Sequence, residues 1–171
     1  LAAEGMMFTQ AYASSVCSPT RVSLMSGMNA ARHRVTNWTL RRNVSQDANH
    51  EILDFPDWNV NGIQPVDTIE RSVYATMLPQ ILKDNGYFTI HAGKAHFGAM
   101  NTPAANPENC GFDENIAGHA AGAPGSYLGI KNFGNEEKGN HSLPWGVPGL
   151  EQYHGDSIFL TEALNIEARK A

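Results

Sequence analysis

Apolar residues fall in short runs along this chain, broken by glycine, proline and asparagine, and no long apolar stripe is present. Met6 to Tyr12 is apolar and aromatic and reads as a strand. Pro19 to Met25 reads as a helix closed by Gly27, with Pro19 in the first turn and Ser18 as its N-cap. Met77 to Lys83 has helical spacing, tolerates Pro79 in its first turn, and ends at Asn85-Gly86. Tyr87 to Ala92 follows as a short strand, and Gly93 lets the chain turn. A further short strand is predicted within Gly111 to Ala117, and a good helix within Thr161 to Ala171. This helix–turn–strand order predicts an α/β fold with a largely parallel sheet.

Between these elements the pattern weakens. Residues 37–70 are rich in Asn, Asp and Pro and read as a surface excursion, as do residues 131–150. Asn101 to Asn109 reads as a loop around Pro103 and Pro107. Gly118 to Gly125 is a loop of small residues around His119. Arg32, His33 and Arg34 form a basic patch in sequence. Leu1 to Gly5 reads as the last turn of a helix with its glycine cap, and the closing helix has no following partner. The chain is therefore expected to be a fragment of a longer one, with all of residues 1–171 inside one domain.

Composition narrows the function classes. The 171 residues are enough for one domain with a real core, and 42% of them are hydrophobic. No apolar run is long enough to cross a membrane. A net charge of −5 argues against nucleic acid as a partner. Two cysteines, Cys17 and Cys110, make no disulfide framework. No glycine-rich stretch continues into Gly-Lys-Ser/Thr, so a phosphate loop is not indicated.

The chemistry concentrates in Cys17-Ser18-Pro19-Thr20-Arg21. Cys17 lies at the positive end of the predicted helix, where an anion is favoured. Arg21 lies one turn on and can return its guanidinium to the space beside Cys17. A nucleophile, a helix N-terminus and a fixed cation suggest a site for an oxyanion. Taken singly, a cysteine is usually a small buried hydrophobe and a lysine a surface charge. The joint spacing of Cys17, Arg21, Lys94 and His96 outweighs those readings. His119, in its loop of small residues, is a candidate substrate contact.

Cys17-Ser18-Pro19-Thr20-Arg21 resembles the Cys-x-Pro-x-Arg signature of the type I sulfatases, within the alkaline-phosphatase-like superfamily. Gly86 to His96, ending in Gly93-Lys94-Ala95-His96, resembles the second sulfatase signature, and Gly111-Phe112-Asp113 resembles a Gly-Phe turn of the family. The resemblance implies a partial alkaline-phosphatase-like fold, mostly parallel sheet flanked by helices and truncated at both ends. It implies a sulfuric ester hydrolase whose cysteine, here Cys17, is converted to formylglycine by a formylglycine-generating enzyme. On the matching positions, Arg21 would hold the formylglycine hydrate, Lys94 would contact sulfate, and His96 would hydrogen-bond the hydrate and help remove its proton.

The family binds calcium or magnesium. Its acidic ligands lie before and after the region matched here, which leaves Cys17, as formylglycine, the one metal contact in this chain. The chain by itself is therefore expected to bind metal poorly and to have little activity. Its expected partners are a sulfated small molecule or glycan, and a further copy through exposed sheet edges. The expected location is periplasmic or secreted. The competing readings are a phosphoester hydrolase of the same superfamily, which normally has Ser or Thr at the nucleophile position, and a non-catalytic binding module.

Overall fold

The computed structural model describes residues 3–47, 51–53, 58–135 and 146–171. Four α-helices and four short strands are found among them: α1 (Cys17–Ser26), α2 (Ala30–His33), β1 (Ile63–Gln64), β2 (Val73–Tyr74), α3 (Leu78–Asp84), β3 (Ile90–Ala92), β4 (Glu114–Ile116) and α4 (Leu160–Lys170). The strands form two parallel pairs. Ile63 faces Val73 in the first, and Ile90, His91 and Ala92 face Glu114, Asn115 and Ile116 in the second. Short parallel strand pairs set among helices give the mixed α/β architecture that the alternating pattern predicts.

Two apolar clusters hold these pieces. One joins Val22 of α1, Val35, Ile63 of β1, Met77 ahead of α3, and Phe97. The other joins Ile116 of β4, Phe133, Val147, Leu150, and Leu160 and Ala163 of α4. The segment 93–97 runs out of β3 and feeds Ala95 and Phe97 into the first cluster. Gly93 makes the turn with φ +98, a conformation that favours glycine.

Several expectations need correction. Met6 to Tyr12 forms no strand: no described residue pairs with it, and Met6, Met7, Phe8 and Tyr12 stand exposed. A strand without a neighbour has no ladder to hold it. Helix α1 begins two residues before Pro19, with Val16 in the N-cap position and no side-chain cap. Ser18 is therefore inside the first turn, and its buried hydroxyl bonds to Thr39 instead of to its own helix. The basic patch is divided, since Arg32 and Arg34 are exposed whereas His33 is fully buried and bonded to Ser23 at 2.9 Å.

Residues 37–70 are not wholly superficial. Thr39, Asn61, Ile63 and Gln64 are all fully buried. Their polar groups are satisfied internally: Asn61 Nδ2 donates to Asn43 Oδ1 and Glu70 O, both at 2.7 Å, and Gln64 Nε2 donates to Thr102 Oγ1 at 2.8 Å. Burying polar groups is tolerable only when they are paired in this way, which is why hydropathy alone reads the stretch as surface. In residues 131–150, Phe133, Val147 and Leu150 are buried, while 136–145 lie outside the described residues.

Phe97 is the largest side chain of the first cluster and 1% exposed. Phe97→Ala should cost about 3–5 kcal/mol of stability, measured as the shift in urea unfolding. A cost near zero would show that this cluster does not hold the fold.

Candidate active site

Cys17, Lys94 and His96 line one cavity of about 290 Å³. Helix α1 supplies Cys17 in its first turn, and the segment after β3 supplies the other two. Cys17 Sγ stands 3.2 Å from His96 Nδ1. The other ring nitrogen, Nε2, lies 2.8 Å from the carbonyl oxygen of Thr39. A carbonyl can only accept, so Nε2 carries the hydrogen and donates it. In the neutral imidazole Nδ1 is then a bare acceptor aimed at residue 17.

His96 is 3% exposed. Burial, with the Lys94 ammonium beside it, pushes its pKa from 6.5 down to about 4. Its backbone sits at φ +57, a left-handed conformation that costs a non-glycine residue on the order of 1–2 kcal/mol. The strain is held from two sides. The His96 N–H donates to His119 O at 3.0 Å, and the ring is anchored on Thr39.

Thr39 is itself fixed from α1. Its N–H donates to Ser18 Oγ at 3.2 Å, and the two hydroxyls lie 3.4 Å apart. A closed circuit results: Ser18 holds Thr39, Thr39 orients His96, and His96 meets Cys17, the chain neighbour of Ser18.

Gly122 closes the other wall. A Cβ there would stand 2.9 Å from His96 Cε1, 3.1 Å from His96 Nδ1 and 3.5 Å from Lys94 Nζ. The imidazole acceptor and the ammonium therefore face the same small space, which only a residue without a side chain leaves open.

Arg21 lines an adjoining groove with Cys17 and Lys94. Burial lowers its pKa, against a pull upward from Cys17. Among the described residues neither Arg21 nor Lys94 enters an ion pair, so both charges remain available to an anion. His119 does not line the Cys17 cavity. It lines a neighbouring space of about 220 Å³ together with Lys94. Its Nδ1 accepts from the Ala121 N–H at 3.0 Å, and burial, with His91 nearby, pushes it to about 4.

His91 packs edge-on against Phe97 and Phe112. Cys110 is buried, which pushes its thiol up to about 12, and both cysteines are free. Among the described residues no three His, Cys, Asp or Glu side chains come together as a metal site. Calcium takes about six to eight oxygen ligands, so the described residues do not by themselves fit that ion.

Sequence reasoning did not find Trp38, Leu40 and Gln46, which line the cavity with Cys17. It also missed Ser18, Thr39 and Gly122 as its supports. Thr39 acts through its carbonyl and Gly122 through having no side chain, so neither leaves a side-chain signal.

The Sulfatase family model matches residues 1–170. The mouse (Mus musculus) arylsulfatase G is 28% identical over 97% of this chain and 27% of its own length. The dog (Canis lupus familiaris) N-acetylgalactosamine-6-sulfatase is 32% identical over 67% of this chain and 19% of its own. A sulfatase of Schizosaccharomyces pombe, uncharacterised, is 32% identical over 68% and 19%. The chain thus spans between about a fifth and about a quarter of the length of these relatives.

Two outcomes follow from this geometry. In the unfolded chain His96 and His119 take up protons as pH falls through 6.5, whereas in the folded chain they stay neutral until about 4. The unfolded state holds more protons across that window, so stability is full above it and falls as pH drops through it. Each histidine contributes at most about 3 kcal/mol, and a urea midpoint unchanged between about pH 7.5 and 4.5 would contradict their neutral burial. Gly122→Ala should cost about 1–3 kcal/mol through overpacking, and no loss would mean that the loop does not lie against His96.

Proposed function

Because the chain belongs to the sulfatase family, we propose that it carries the nucleophile-bearing part of a sulfate-ester hydrolase. The observation that supports this most is the contact of Cys17 Sγ with the acceptor nitrogen of His96, in a cavity shared with Lys94. We read residue 17 as formylglycine in the active protein. Cys17 Sγ then stands where a hydroxyl of the aldehyde hydrate would be. The site suits that group, being half-buried, facing a cavity and meeting a bare acceptor.

When residue 17 carries formylglycine, its hydrate supplies one hydroxyl to attack sulfur in line with the leaving alcohol and a second to release sulfate as the aldehyde re-forms. His96 orients and accepts the proton of that hydroxyl at Nδ1, because Nε2–H is committed to Thr39. A pKa of about 4 in the free site makes His96 a weak base. A bound sulfate offsets the Lys94 charge that helps lower it, so basicity rises when substrate arrives. Lys94 binds the sulfate oxygens and offsets charge as it moves in the transition state. Arg21, with the N-terminus of α1, balances charge at residue 17. His119 acts beside Lys94, as a donor to substrate from Nε2.

We read all of residues 1–171 as part of one catalytic domain, and residues 1–171 alone as weak in calcium binding and activity, on the family resemblance. In the whole protein we assign calcium or magnesium, and a place outside the cytosol, on the family resemblance. No helix among the described residues is long and apolar enough to cross a membrane.

Mass spectrometry of the Cys17 peptide from a host with the modifying enzyme should show the thiol replaced by an aldehyde. In the whole protein Cys17→Ala should abolish hydrolysis of an aryl sulfate, and Lys94→Ala should lower kcat by about 10²–10³. Faster hydrolysis of aryl phosphate than of aryl sulfate would overturn the sulfate reading.

A further inference from the structure

We propose that Asn115 is a positioning residue, whose side chain holds the loop that presents the His119 carbonyl to the His96 N–H. This rests on the sulfate-ester reading for the step it serves, and adds to that step a residue remote from the reacting atoms. His96 is left-handed at φ +57, and the bond from its N–H to His119 O, 3.0 Å long, holds it from the loop side. The position of that carbonyl is therefore a condition for the contact between His96 and residue 17.

Ala117 follows β4 directly and has φ +67, a conformation that residues with a side chain rarely adopt. Such a residue persists only where its surroundings over-determine it. Backbone bonds supply part of that hold. The Gly93 N–H donates to Ile116 O at 2.8 Å, and the Ala117 N–H donates to Pro148 O at 2.7 Å. Asn115 supplies the side-chain part. The Gly118 N–H donates to Asn115 Oδ1 at 3.0 Å, and Asn115 Nδ2 donates to Gly118 O at 2.9 Å. The two bonds bracket Ala117 and close the turn that leads into His119.

A primary amide offers an acceptor and a donor side by side, as these partners require, whereas a carboxylate only accepts. Because Gly118 presents one donor and one acceptor, the amide faces one way. The neighbours leave it little slack. A Cβ on Gly118 would stand 2.4 Å from Asn115 Oδ1, 2.5 Å from His91 Nδ1 and 2.7 Å from Pro107 Cγ. His91 pairs with Asn115 across β3 and β4, and its ring packs against Phe97 of the first apolar cluster. Asn115 does not line the cavity of Cys17, so it acts through His96 and not on substrate. The turn before Lys94 hangs instead on the Gly93–Ile116 bond. Sulfate binding should therefore outlast the loss of the amide, whereas proton transfer at His96 should not.

The test joins hydrogen exchange in the full chain with kinetics of the whole protein. In Asn115→Ala the His96 N–H should exchange at least about ten-fold faster. The Ile63 N–H, bonded to Phe97 O at 3.1 Å in the first cluster, should speed up by less than about two-fold. In the whole protein the same substitution should lower kcat on an aryl sulfate by about 10–10², with KM within about three-fold. Adding Ala117→Gly should restore kcat by at least about five-fold, because glycine takes φ +67 freely. If Asn115→Ala does not fold, Asn115→Asp takes its place. It keeps the acceptor for the Gly118 N–H, and its His96 N–H should exchange at least about three-fold faster with Ile63 unmoved. Unchanged exchange at His96, equal acceleration at His96 and Ile63, a loss carried by KM alone, or a loss that Ala117→Gly does not relieve overturns the assignment. The expected exchange pattern with faster hydrolysis of aryl phosphate than of aryl sulfate would overturn the sulfate reading and leave the role of Asn115 standing. Sulfate hydrolysis with exchange at His96 unchanged would do the opposite.

Discussion

The hydrogen bond from His96 Nε2 to the Thr39 carbonyl is the constraint on which the site depends. It joins residues 57 apart in sequence and is buried. With one ring nitrogen committed as a donor, the neutral ring has a single lone pair to offer, and that lone pair meets residue 17 at 3.2 Å. Without the carbonyl the two tautomers would compete, and residue 17 would often face an N–H instead of an acceptor. The surrounding structure holds this bond in place. Ser18 fixes Thr39 from the first turn of α1, Phe97 anchors the His96 segment in the apolar cluster, and Gly122 lets the opposite loop close without displacing the ring.

Electrostatics follow from the same burial. His91, His96 and His119 all have lowered pKa values because desolvation disfavours their charged forms. The charges that remain near residue 17 are Arg21 and Lys94, and among the described ion pairs neither is neutralised by a carboxylate. The result is a positive, partly dry space with one neutral base, the combination suited to an anionic ester that must be attacked and then released.

The sequence was most informative where local chemistry decides structure. Pro79 with Asn85-Gly86 bounds α3, Gly27 ends α1, and Gly93 turns the chain out of β3. Cys17, Lys94 and His96 stood out as candidates because their residue types and spacing are distinctive, and the fold brings all three to one cavity. What failed was decided by distant partners. Met6 to Tyr12 has the composition of a strand but no neighbour among the described residues. Ser18 has the composition of a cap, yet a residue 21 positions away takes its hydroxyl. Asn61 and Gln64 look like surface residues and are buried because Asn43, Glu70 and Thr102 satisfy them. Trp38 lay in a stretch with no periodicity, and only the fold brings it to the cavity of Cys17.

The most direct measurement is the nitrogen-15 NMR signature of the His96 ring near neutral pH. A neutral ring with hydrogen on Nε2 and a bare, acceptor-type Nδ1 is the predicted result. Hydrogen on Nδ1, or a charged ring bearing hydrogen on both nitrogens, would contradict the account.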